Sequence, residues 1–155
     1  HNGRRRQRQM CIRDREDNEE IRKSGNSNFI LVLILMCISA FVFIVFRDIL
    51  PTFYVDDYEV ISLASSLLII AGLFQLSDGV QAVGLGVLRG IRDTKTPTLV
   101  TFISYWVIAI PLSYYLGIIS GYGLFGVWIG LSVGLTIAAV FHVLRFNYLT
   151  SAKLQ

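Results

Sequence analysis

Val60–Leu88 reads VISLASSLLIIAGLFQLSDGVQAVGLGVL between Glu59 and Arg89, and Asp78 is its only charged residue. A helix rising about 1.5 Å per residue needs about 20 apolar residues to cross the hydrocarbon core of a bilayer. This stretch exceeds that length, so it is predicted to span a membrane with Asp78 well inside it. Insertion scales place a central Asp at about +2.5 to +3.5 kcal/mol, a cost tolerated where the side chain faces a cavity or a partner. An ion or substrate pathway is the resulting expectation.

Three further segments meet the same requirement. Phe29–Phe46 (FILVLILMCISAFVFIVF) has no charge, residues 98–118 contain Pro111, and residues 124–144 are uncharged if His142 is neutral. The 155-residue chain is 54% hydrophobic and 16% charged, with the charges confined to a tail and short connections, which predicts an all-α membrane protein of four transmembrane helices rather than a soluble domain. The formal charge of +3 arises entirely before Ser24, where eight Arg/Lys meet five acids; the remainder is neutral, so no nucleic-acid partner is expected. Residues 1–15 include RRRQRQMCIRDR, which looks like translated adapter sequence, and a start at His1 rather than Met reads as the beginning of a fragment. Residues 16–28 are expected to be a cytoplasmic loop and residues 145–155 a cytoplasmic tail. Cys11 and Cys37 suggest neither a disulfide nor a metal site.

Basic residues near span ends stay on the cytoplasmic side. The first connection, Arg47–Glu59, has one basic residue against Asp48, Asp56, Asp57 and Glu59, whereas the second, Arg89–Pro97, has Arg89, Arg92 and Lys95 against Asp93. The third, Ser120–Gly123, is uncharged, and Arg145 and Lys153 follow the last span. Both termini and the second connection are therefore expected in the cytoplasm of a multi-pass protein, in a bacterial inner membrane. Asp56 and Asp57 suit the start of the second helix, Gly90 its end, and Thr96-Pro97 an N-cap with proline following. Pro111 removes one backbone hydrogen bond and is expected to kink the third span near Val107, as packing or as a gate.

Gly126, Gly130 and Gly134 recur every fourth residue, lining one face of the fourth span with bare backbone for close helix approach. Gly72, Gly79 and Gly86 form a similar row in the second span, about 100° from Asp78 on the helical wheel. On that wheel Phe74 falls near Asp78, and Gln75 and Gln81 flank it at about 60° on either side. Two amides beside a carboxylate supply donors when it is ionised and oxygen ligands to a bound cation. A structural Asp bonded to a neighbouring helix is the plainer reading of the same pattern. Tyr105 sits deep enough to line a cavity, while His142, near the end of its span, reads as interfacial rather than as a proton relay. No nucleophile and base, phosphate loop or metal-ligand cluster appears, so the chain is not expected to be an enzyme.

The run FQLSDGVQAVGLGVLRGIRDTKTP (Phe74–Pro97), followed by YWVIAIPLSYYLG (Tyr105–Gly117), resembles the multidrug and toxic compound extrusion family, and the resemblance extends from about Asp17 to the end of the chain. It implies a cation-coupled antiporter exporting amphiphilic, often cationic compounds, with twelve helices in two six-helix lobes. These four spans would be the last four, belonging to the C-terminal lobe, with the N-terminal lobe and two further helices as partners alongside the lipid bilayer. The resemblance assigns cation coupling to Asp78, with Na⁺ or H⁺ as the coupling ion and no other cofactor; Na⁺ would be the one metal ion, held at Asp78. Some members have Tyr where this chain has Phe74, which leaves the ion open. Phe74, Gln75, Gln81 and Tyr105 are the cavity-lining candidates. A related flippase for lipids or polysaccharide precursors, and a non-transporting assembly or anchoring protein held by its glycine seams, are the alternatives.

Overall fold

The structure, a computed structural model, describes the backbone of residues 2–152 and the side chains of residues 19–151. The expectation of a non-native tail at residues 1–15 concerns side chains outside the described residues. The chain forms four long helices: α1, Asn2–Val45; α2, Tyr58–Gly90; α3, Lys95–Ile119; and α4, Gly123–Ala152. All four are long and apolar enough to cross a membrane, and no strand occurs among the described residues. The protein is thus an all-helical, multi-pass membrane protein.

The helices outrun the apolar cores that identify them. Residues 16–28, expected as a loop, continue α1, because no proline interrupts them and the helix satisfies their polar groups locally. Glu19 and Lys23 pair across one turn at 3.8 Å, and the Ser27 hydroxyl donates to the Lys23 carbonyl at 2.9 Å. Residues 145–152, expected in a tail, likewise extend α4. At the start of α2 the Asp57 carboxylate accepts the Glu59 N–H at 2.9 Å, as the acidic pair suggested. Thr96 is not a cap, however: α3 begins at Lys95, which puts Pro97 within the first turn, where its missing N–H has no intrahelical partner to lose.

The α3 span is not uniformly wound. It passes from α-helix (Lys95–Ile103) into π-helix (Ser104–Ala109), back to α-helix around Pro111, and again into π-helix at Tyr115–Ile119. The first wide turns lie directly before Pro111, where its ring would crowd the carbonyl four residues earlier.

In cross-section α2 packs against α1 on one side and α4 on the other, and α3 lies against α4. The fit of α3 to α4 requires glycine. A Cβ on Gly126 would meet the Leu116 carbonyl carbon at 2.5 Å, and one on Gly130 the Ser113 nitrogen at 2.5 Å; at Gly134 it would collide with the Ala109 side chain. The second row divides: Gly72 and Gly79 face Ala40 and Met36 of α1, whereas Gly86 has nothing within 4 Å. Toward the C-terminal ends of α2 and α4, Leu88 and Phe146 form a core with Phe29 of α1, flanked by Val80, Val83, Val87 and Val143. Elsewhere the exterior is apolar, with Phe41, Leu73, Trp106 and Val107 exposed, the surface that hydrocarbon or further helices would cover.

Candidate functional site

Asp78 is exposed on the flank of α2, and among the described residues no hydrogen bond or salt bridge engages its carboxylate. It projects between two amides that are themselves committed to neighbouring helices. Gln75 donates its side-chain N–H to the Ser39 hydroxyl of α1, while its Oε1 is buried without a partner. On the other side Gln81 is 8% exposed, and its Oε1 accepts the Tyr105 hydroxyl of α3 at 3.0 Å. That hydroxyl lies within electrostatic reach of Asp78. The structure therefore gathers Asp78, Gln81 and Tyr105, with Gln75 one turn away.

Phe74 stands apart from that group. Its ring packs edge-on to Trp128 of α4, with centroids 5.7 Å apart, and it lines a groove of about 440 Å³ between α2 and α4 that contains neither Asp78 nor Tyr105. Phe74 and the Gln81–Tyr105 pair therefore face different neighbours. The candidate side chains of α2 lie within a turn or so of one another, but each is drawn toward a different neighbour: Phe74 to α4, Gln75 to α1 and Gln81 to α3. Ser77, which lines the same groove, shares a hydrogen bond of 2.9 Å with Thr136.

His142, which sits near the end of its apolar span, is drawn into the bundle. It is fully buried where α2, α3 and α4 meet, with its Cβ 2.7 Å from the position a Cβ on Gly84 would take. Its Nε2 lies 3.3 Å from the Thr101 hydroxyl and 3.4 Å from the Pro97 carbonyl. Gly84 is the signal that could have revealed this, since bare backbone opposite an imidazole is what admits the ring. One turn beyond His142, the Arg145 guanidinium donates to Asp93 of the α2–α3 connection at 3.0 Å. The left-handed turn there falls on Arg92, at φ 66°, rather than on Gly90. Among the described residues no three His, Cys, Asp or Glu side chains converge as a metal cluster.

Chemically, the arrangement offers one carboxylate without a partner among the described residues, one amide oxygen already holding a phenol, and mostly apolar surroundings. Such a group can accept a proton or a weakly held monovalent cation, with carboxylate, amide and phenol oxygens available as ligands.

Comparison with known proteins places these features in context. Residues 15–115 match the MatE family model. Multidrug resistance protein MdtK of Proteus mirabilis is 43% identical over 126 residues, covering 79% of this chain and 28% of the relative. MdtK of Yersinia enterocolitica is 38% identical over 135 residues, covering 84% of this chain and 30% of the relative. The Yersinia pestis protein of the same name is 39% identical over a similar stretch. The chain thus spans about 30% of the length of these relatives.

Proposed function

Because the chain belongs to the MatE family, we propose that it supplies four spans of the C-terminal lobe of a cation-coupled antiporter that exports amphiphilic, often cationic drugs and toxins. The observation that carries the reading is Asp78, an intramembrane carboxylate with no partner among the described residues, beside a hydrogen-bonded Gln81–Tyr105 pair. A charge at that depth needs compensation, and a coupling ion arriving from water provides it transiently. Na⁺ and H⁺ both suit the site: Na⁺ through the oxygens of Asp78 and Gln81, H⁺ through the carboxylate alone. Each monovalent cation moving inward gains about 2.3 kcal/mol per 100 mV of membrane potential, which can drive the outward step. The names of the relatives, multidrug resistance proteins, support drug-like substrates, and the apolar and aromatic walls beside a single carboxylate suit lipophilic cations.

The test uses a full-length transporter in which this chain replaces the segment of the Proteus mirabilis protein that it matches. Asp78→Asn, which keeps the size and removes the charge, is expected to reduce ion-driven export of a cationic dye from proteoliposomes by at least about tenfold, about 1.4 kcal/mol. Unchanged coupled export in that variant would sink the proposal.

A further inference from the structure

We propose that the cavity among α1, α2 and α4, on the side of the basic α2–α3 connection, binds one phospholipid with an ammonium headgroup, phosphatidylethanolamine. Its head lies between Glu20 and Arg92, and an acyl chain lies in the α1–α2 groove that continues from the cavity. The site contains neither Asp78 nor Tyr105 and does not depend on the coupling reading.

Two hollows meet there. The first, about 630 Å³, is walled by Glu20, Ser24 and Asn28 of α1, by Gly90 and Arg92 at the end of α2, and by Phe146 of α4. Its depth is set by Gly25, whose bare backbone lets the Phe146 ring pack directly on α1. The second, about 490 Å³, follows α1 from Asn28 to Leu35 against Val83 and Gly86 of α2 and has no charged lining. Asn28 and Val87 line both hollows, which makes them continuous. The change of lining follows depth: the apolar run of α1 begins at Phe29 and that of α2 ends at Leu88, so the two hollows join where hydrocarbon gives way to headgroups.

Helix periodicity builds the α1 wall. Glu20, Ser24, Asn28 and Val32 recur every fourth residue, so one face passes from carboxylate through hydroxyl and amide to hydrocarbon. Glu20 and Arg92 are exposed, and among the described residues neither takes part in a salt bridge. They are the charged lining of the cavity, one of each sign, while Arg89 and Lys95 stand outside it. An anionic headgroup would meet Arg92 but be repelled by Glu20, whereas a zwitterion satisfies both, its phosphate at the guanidinium and its ammonium at the carboxylate. The partial negative charge at the C-terminal end of α2 favours the cation further. A primary ammonium suits the site better than a quaternary one, because its N–H groups donate to the Glu20 carboxylate and the Asn28 amide oxygen.

A transmembrane helix fits the groove poorly. Asn28 to Leu35 is about 10 Å of helix rise, so the mean section of the groove is roughly 50 Å², against roughly 80–110 Å² for a helix 10–12 Å across. A hydrocarbon chain needs less width. The backbone at the rim points the same way. Arg92 holds φ 66°, the left-handed region that glycine occupies without strain. Backbone conformation alone favours glycine at this position, and a phosphate held by the guanidinium accounts for arginine there.

The test uses the full-length chimera, purified in detergent and incubated with dioleoyl phosphatidylethanolamine, phosphatidylcholine or phosphatidylglycerol; native mass spectrometry counts the retained lipid, and thermal unfolding is followed alongside. The unsubstituted chimera is expected to retain phosphatidylethanolamine in preference to the other two and to unfold at a higher temperature with it. Arg92→Gly, Glu20→Gln and Gly86→Leu, the last filling the chain groove, should each weaken that retention by about tenfold. Because glycine relieves the backbone at position 92, the unfolding temperature of Arg92→Gly without lipid should not fall, which separates loss of the site from loss of the fold. Soluble phosphoethanolamine, which has no chain, should neither displace the lipid nor stabilise the protein. Undiminished retention by Arg92→Gly or by Gly86→Leu overturns the proposal, as does equal retention of the three lipids with no effect of Glu20→Gln. Failure of the unsubstituted chimera to retain any of them also overturns it, and is the result expected if other helices of the transporter fill the groove.

Discussion

Tyr105 occupies the amide oxygen that a cation at Asp78 would otherwise use. Its hydroxyl donates to Gln81 Oε1 at 3.0 Å, and hydrogen bonds of this kind between membrane helices contribute on average about 0.6 kcal/mol and at most about 1.7. Such a bond is weak enough to open during a transport cycle. Tyr105→Phe is therefore expected to lower the unfolding temperature slightly and to reduce the cation concentration that half-saturates export, because Gln81 is freed to act as a ligand. A titration of export against Na⁺ and against pH checks this; a higher half-saturating concentration would make Tyr105 a ligand rather than a competitor. The helical wheel of α2 alone placed Gln75 and Gln81 on either side of Asp78, and both lie there. What it could not supply was their partners, because Ser39 and Tyr105 are distant in sequence and are brought close only by packing. The burial of His142 was not legible for the same reason: distance from the span end suggests depth in the bilayer, but burial depends on the opposing residue, here Gly84.

Among the elements, α4 depends most on missing side chains. A Cβ on Gly130 would fall 2.5 Å from the Ser113 backbone nitrogen, and backbone does not give way as a flexible side chain does. Gly130→Ala is expected to destabilise the protein by about 1–3 kcal/mol through overpacking, whereas Gly86→Ala, with nothing within 4 Å, should be neutral or stabilising by up to about 1 kcal/mol through helix propensity. Thermal unfolding of the two variants in detergent measures the difference; equal losses would mean that the α3–α4 fit is looser than its geometry. Four-residue spacing marked the α4 seam in the sequence, since one face of glycine has few other uses in a long apolar helix. The seven-residue row in α2 was a poorer guide, because Gly86 opens onto a groove between α1 and α2 instead of a close contact. Span ends were legible only to within several residues. Apolarity reports where hydrocarbon lies, while helix continues through polar residues such as Glu19–Lys23 until a breaker stops it.

At the scale of the whole molecule, alternation of charge is the one property that orients the bundle. Successive helices run antiparallel, so the acidic α1–α2 connection and the uncharged α3–α4 turn, closed by Gly121 and Gly123 at positive φ, lie on one side. The α2–α3 connection, with Arg89, Arg92 and Lys95, lies on the other. Lys and Arg in short connections resist translocation, so that second side is expected to be the cytoplasmic one. The Asp93–Arg145 pair and the His142 junction lie on that same side. In the full-length chimera with Cys11 and Cys37 replaced by Ser, Thr52→Cys is expected to react with a membrane-impermeant maleimide in intact cells. Thr94→Cys should react only after the membrane is permeabilised. Both positions are exposed in connections, so failure to label reflects sidedness rather than burial. The reverse pattern would invert the bundle and place the acidic connection inside.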